Sequence, residues 1–142
     1  MAFFNGLLTA SDGAGNVGRD TIIVTRLPDT TPPTVVSVSL SRGGTGSTNI
    51  GRSTSVTVMF SEAMDQATID ATTFTLDDGA NNPVPAAVGY DPFSLSATLQ
   101  PSSLLASSTT YQVTVTTGVR DASGGNALIS PYTLSFTTGL FP

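Results

Sequence analysis

Ten carboxylates, nine Asp and one Glu, are the side chains of this sequence best suited to catalysis or metal chemistry. The 142 residues contain no His, Cys, Lys or Trp. Without His or Cys there is no Ser-His-Asp triad, no thiolate nucleophile and no zinc site of the usual ligands. Without Lys there is no Schiff base and no phosphate-gripping P-loop. Two kinds of chemistry survive: a glycosidase-like acid pair, and an oxygen cage for a hard cation such as calcium.

The sharpest local motif is Phe60-Ser-Glu-Ala-Met-Asp65. Glu62 and Asp65 are spaced to act as an acid pair or to ligate a cation. The same residues also have a structural reading. Phe60 ends a core strand, Met64 packs beneath the turn, and an acid caps the first N–H groups of a short helix. Capping fits better, because a glycosidase pair needs a cleft and small sandwiches rarely build one without long loops. The expectation is therefore a protein that is not an enzyme.

The elements that must position these acids are strands. Serine and threonine number 17 and 23, with 14 Gly and 9 Pro, and Glu occurs once, a composition that leans toward β structure. Apolar residues alternate with period two at Val36/Val38/Leu40, Val56/Val58/Phe60, Phe74/Leu76, Leu95/Ala97/Leu99, Tyr111/Val113/Val115 and Tyr132/Leu134/Phe136. A weaker run from Val84 to Tyr90 makes seven strands, which suits an all-β, antiparallel sandwich over residues 34–139. Helical turns are expected at Asp65 to Asp70 and Ser102 to Ala106.

Consecutive antiparallel strands reverse direction, so alternate connections gather at one pole. That pole collects Asp29, Glu62, Asp65, Asp70, Asp91 and Asp121, with Arg120 the nearby cation. Clustered carboxylates repel unless they are solvated or bridged by a cation. Asp29, Glu62, Asp65, Asp121 and Asn126 are the calcium candidates, and no other cofactor is expected. The absence of dense Asp-x-Asp-x-Asp spacing leaves a plain solvated acidic rim as the competing reading.

Residues 1–28 stand outside the seven-strand count. Leu7 to Ser11 and Thr21 to Thr25 read as a hairpin around Asp12-Gly-Ala-Gly-Asn16, followed by a proline-rich linker at 29–33. The turn echoes Asp121-Ala-Ser-Gly-Gly-Asn126, and the two Asp stand 109 residues apart, about one sandwich domain. Tandem repeats give such a period. The hairpin then closes a preceding repeat, or exchanges strands with a neighbouring copy.

Several longer segments are familiar. Asp29-Thr-Thr-Pro-Pro-Thr-Val-Val-Ser-Val-Ser-Leu40, Ser55-Val-Thr-Val-Met-Phe-Ser-Glu-Ala-Met-Asp65 and Thr72-Thr-Phe-Thr-Leu76 resemble the bacterial Ig-like domain of S-layer proteins. So do Thr110-Tyr-Gln-Val-Thr-Val115, Val119-Arg-Asp-Ala-Ser-Gly-Gly-Asn-Ala-Leu128 and Tyr132-Thr-Leu-Ser-Phe-Thr-Thr138. The resemblance implies an extracellular or cell-surface spacer or display module, used in tandem in adhesins, S-layers and polysaccharide-degrading enzymes. It carries over no catalytic residue. The Gly-rich segment Ser41 to Gly51 is longer than the resemblance leads one to expect, and reads as a surface insertion or a binding loop.

Partners follow from the same features. A net charge of −5 argues against nucleic acid, and no apolar run approaches the roughly 20 residues that span a bilayer. Tyr111 opens the sixth sandwich strand, where a tyrosine corner places its hydroxyl against backbone near Ala106 or Ser108. Tyr90, Phe93 and Phe141 are left as exposed aromatics, a thin platform for a glycan or host surface. Neighbouring Ig-like modules or copies of the chain, met through the hairpin, are the expected partners. Met1-Ala-Phe-Phe4 has no basic segment of a signal peptide, so a piece of a longer exported chain with an added start Met is expected.

Overall fold

A computed structural model describes residues 27–43 and 47–142, together with the backbone of two N-terminal strands. Those strands, β1 (Gly6–Ser11) and β2 (Val17–Ile22), pair antiparallel with Gly6 opposite Ile22. The second strand thus begins four residues before its sequence expectation. Residues 12–16 and 23–26 lie outside the described residues, and with them the Asp12–Asn16 half of the internal echo.

Seven further strands follow: β3 (Val35–Leu40), β4 (Val56–Phe60), β5 (Phe74–Asp78), β6 (Ala86–Asp91), β7 (Ser96–Pro101), β8 (Thr110–Val115) and β9 (Tyr132–Thr137). They form two antiparallel sheets, ordered β3-β4-β7-β6 and β5-β8-β9. Lettered A to G in chain order, these are the A-B-E-D and C-F-G sheets of a constant-type immunoglobulin sandwich. The expected all-β sandwich of seven strands is what the chain forms.

Alternation explains the layering. Val56, Val58 and Phe60 of β4 face inward with Ala97 and Leu99 of β7, all at most 2% exposed. Opposite them stand Phe74, Leu76, Tyr111, Val113, Val115 and Phe136 from the second sheet. Thr57 and Thr98, one residue out of phase, meet on the outer face with their hydroxyls 3.2 Å apart. A slip of one residue in either strand would reverse the two faces, so burial fixes the register.

One of the two expected helical turns forms. Gln66–Thr68 is a short 3-10 turn. Ser102 to Ala106 is not helical, because its N–H groups bond elsewhere: Ser102 to the Pro85 carbonyl at 2.9 Å and Leu105 to Arg52 at 3.0 Å. Leu105 is buried by that anchoring. No helix among the described residues is long and apolar enough to cross a membrane.

Candidate functional site

The acidic pole is assembled by three straps of hydrogen bonds to the backbone. Where β4 ends, Ser61 N–H donates to the Thr34 carbonyl, and Thr34 N–H donates to the Ser61 hydroxyl, both at 2.9 Å. These bonds hold the end of the linker beside the exit of β4. Two residues on, Ala122 N–H donates to Ala63, and Asp65 N–H to Arg120, closing an antiparallel bridge between Met64 and Asp121. Met64 is buried, and its N–H donates to the Tyr90 hydroxyl at 2.9 Å. Tyr90 is therefore a half-buried strut, not the exposed aromatic expected from the sequence; Phe93 and Phe141 are indeed exposed.

The linker supplies the third strap. Asn126 donates its side-chain N–H to the Asp29 carbonyl at 2.8 Å. Gly124, at φ +95°, lies so close to that carbonyl that a β-carbon would collide with it. Pro33 is buried, and Thr31 N–H donates to the Asp29 carboxylate at 2.9 Å. Residues 29–33 are thus fastened to the sandwich.

These straps bring together oxygens of Asp29, Glu62 and Asp121, one from each, all within 4.8 Å of one another. Asp121 is 1% exposed and accepts from both the backbone N–H and the side-chain N–H of Asn126, each at 2.9 Å. Glu62 and Asp29 are half-buried. Partial burial pushes the Glu62 carboxyl above its ordinary pKa, and the nearby Asp121 and Asp29 charges and a hydrogen bond with Asp29 push the same way. The arrangement can share a proton between Glu62 and Asp29, or offer three oxygens to a cation.

The remaining acids of the pole do other work. Asp65 accepts from Ala67 N–H at 3.0 Å and caps the 3-10 turn, so its carboxylate lies outside the group of three. Asp70 accepts from Thr72, whose hydroxyl and N–H hold its pKa below the ordinary carboxylate range. Asp91 organises the β6–β7 turn through Phe93 N–H and the Ser94 hydroxyl, both at 3.0 Å. Arg120 donates to the Gly125 carbonyl at 2.9 Å. Motif reading paired Glu62 with Asp65, whereas the structure pairs Glu62 with Asp29 and Asp121. It also did not foresee Gly124 as a seat for the Asp29 carbonyl; the Gly-Gly step before Asn126 was the available signal.

Two antiparallel sheets in this order, a tyrosine corner in which the Tyr111 hydroxyl accepts from Ala106 N–H, and carboxylates spent on turns define an Ig-like sandwich module. A family model described as "Bacterial Ig-like domain" matches residues 29–138, and the chain belongs to that family. No match was found among curated proteins. Among solved structures, domains 1–6 of the surface layer protein SbsC match with 26% identity and a TM-score of 0.56, covering 78% of this chain and 14% of that one. The N-terminal part of the bacterial S-layer protein SbsC matches at 24% identity and TM-score 0.56, covering 77% of this chain and 24% of that one. Native alpha-2-macroglobulin of E. coli shares the fold at 14% identity and TM-score 0.57, covering 78% of this chain and 6% of that one. The chain therefore corresponds to a small part of each of these proteins.

Proposed function

We propose that this chain is a non-catalytic structural module of an exported bacterial surface protein, spacing or displaying other domains in a tandem array. The observation that carries the proposal is the fastened linker. Asn126 and Gly124 seat Asp29, and the Ser61–Thr34 pair holds the other end, so whatever precedes residue 29 enters at a fixed place. A spacer transmits direction only if its joints resist bending. Likeness to S-layer domains supports a surface setting, and the turn duties of Asp65, Asp70 and Asp91 support the absence of catalysis. A calcium ion held by Asp29, Glu62 and Asp121 belongs to the same proposal: it would neutralise the joint and stiffen it.

The test uses intact cells of the source bacterium and an antibody raised against this chain. Labelling without permeabilisation, lost after brief protease treatment of whole cells, is the expected result. Labelling only after lysis would overturn the proposal.

A further inference from the structure

The two sides of the sandwich are closed differently. On one side the segment leading into β6 crosses to β5, where Val84 N–H donates to the Leu76 carbonyl at 2.7 Å. On the other side, between the outer strands β3 and β9, the two poles differ. At the pole opposite the acids, Thr137 N–H donates to Ser47 and Gly139 N–H to Ile50, so the segment 47–50 covers the end of β9. At the acidic pole the same side holds a hollow of about 180 Å³, walled by Pro33, Val35, Leu128, Ile129, Pro131 and Tyr132. Ile129 is 83% exposed. Residues 44–46 join Gly43 to Ser47 at the covered end. Tyr132 lies five strand positions from Thr137, about 17 Å away, which a connection of three residues cannot span.

Size and chemistry limit what the hollow takes. Pockets for small molecules measure roughly 300–1,000 Å³, so this one suits one or two apolar side chains of a protein segment instead. Its walls carry no charge, although Asp29, Glu62 and Asp121 gather at the same pole.

We propose that this hollow seats the chain's own N-terminal hairpin, strands β1 and β2. The chain enters the sandwich beside it: Asn126 holds the Asp29 carbonyl, and Pro33, four residues on, forms part of the wall. Ile22, the last residue of β2, stands seven positions before Asp29, so the near end of the hairpin stays within about 25 Å of that anchor. So short a tether gives the hairpin a local concentration on the order of millimolar, far above that of a second copy in dilute solution. Charge favours the same occupant. Residues 1–28 carry Asp12 and Asp20 against Arg19 and Arg26 and are neutral, whereas residues 29–142 carry eight acids against three Arg and hold the whole net charge of −5. A second sandwich brought to this pole meets like charge, and the neutral segment does not. The hairpin also needs a support. Its two strands join neither sheet of the sandwich, and a two-stranded hairpin is at best marginally stable in water until it packs against a larger body. The inference deepens the spacer reading and rests on it for its purpose, since an entering segment held both at Asp29 and at this hollow resists twisting as well as bending.

The experiment is NMR relaxation of the full-length, nitrogen-15-labelled chain, with its mass followed by light scattering. The wild type is monomeric, and amides of β1 and β2 give order parameters of about 0.85, like those of the sandwich strands. Ile129→Asp and Ile129→Lys change an exposed side chain and keep the wild-type melting temperature, and each lowers the order parameters of β1 and β2 below about 0.6. Their opposite charges separate loss of the apolar contact from repulsion. Because the chain has no Cys, a nitroxide attached through Thr133→Cys, on the exposed face beside Tyr132, identifies the occupant. It broadens the β1 and β2 amides of its own chain and leaves those of an admixed chain without nitroxide sharp. Hairpin amides that are mobile in the wild type, or that neither Ile129 substitution moves, overturn the proposal. Broadening between chains overturns it too, and assigns the hollow to a second copy. All of these outcomes leave the cell-labelling test of the surface role untouched.

Discussion

The side-chain amide of Asn126 donates to the backbone carbonyl of Asp29 across 97 positions of sequence, at 2.8 Å. One bond thus couples the β8–β9 connection to the segment that enters the sandwich. Gly124 makes room for it, and its φ of +95° is one that side-chain-bearing residues rarely adopt. Gly124→Ala adds both a collision with the Asp29 carbonyl and backbone strain, which together cost about 1–3 kcal/mol. The expected outcome is a lower melting temperature and faster proteolysis within residues 27–33. Unchanged proteolysis would show that the linker is held by other contacts.

The acids at the joint give stability a pH dependence with a definite sign. Glu62 has a raised pKa in the folded state, so the folded protein holds that proton more tightly than the unfolded chain. Its contribution is complete below the unfolded value and is lost as pH rises through the folded one. Asp70 and Asp78 have lowered values and act oppositely, their contribution present above the unfolded value and lost on acidification. Glu62→Gln removes the first effect alone. In chelator, the variant is expected to melt above wild type at neutral pH, with the difference shrinking toward pH 4.

If calcium occupies the Asp29, Glu62 and Asp121 group as proposed, it is expected to reverse that ranking. A ligand that binds the native state stabilises it by RT ln(1 + [L]/Kd), about 2.7 kcal/mol at 100 times Kd. For a domain of this size that is a rise of several degrees in Tm. Wild type should gain this increment from calcium over chelator, while Glu62→Gln and Asp121→Asn should lose most of it. Identical wild-type melts in calcium and chelator would leave a shared proton as the means of neutralising the joint.

The strands were legible because burial enforces an alternating apolar face along them; the expected Val36/Val38/Leu40 face fails at Val36, which the register irregularity between Val35 and Ser37 turns outward, 60% exposed. The cap at Asp65 was legible for a similar reason: it is local, with donor and acceptor two residues apart. The Ser102–Ala106 turn misled because its composition permits a helix, while Pro85 and Arg52, distant in sequence, capture its N–H groups. The acidic site was legible in part. Strand reversal brought Asp29, Glu62, Asp121 and Asn126 to one pole, but pole membership has no angular resolution. It could not separate Asp65, whose carboxylate turns to its own helix, from Glu62, three residues earlier. Tyr90 was missed because its partner is the backbone of Met64, 26 positions away, and backbone donors leave no mark in composition.

Tyr111 provides the most direct test of the sandwich edge. Its hydroxyl accepts from Ala106 N–H at 2.9 Å, and its ring stacks on Phe136 with centroids 5.8 Å apart and planes inclined by 27°. The residue is 4% exposed at the start of β8, where the sequence placed a tyrosine corner. Ring and hydroxyl make separable contributions. Tyr111→Phe keeps the stacking and removes only the acceptor, which costs about 1 kcal/mol for one hydrogen bond. Tyr111→Ala also empties the volume beside Phe136, and large-to-small changes of buried aromatics cost about 3–5 kcal/mol. Denaturant unfolding of both variants should show this graded loss with little change in slope, since the surface exposed on unfolding is nearly the same. The neighbouring Thr138 hydroxyl donates to the Ala106 carbonyl and accepts from Thr109 N–H at 3.0 Å. Thr138→Val removes that second tie, and combining it with Tyr111→Phe should cost more than the sum of the two changes. Loss of either tie leaves the 106–109 turn held by the other, whereas loss of both leaves it only the backbone bonds Ser108 N–H to Gly139 and Thr138 N–H to Thr109. Strict additivity in this cycle would show that the two hydroxyls fasten the turn independently.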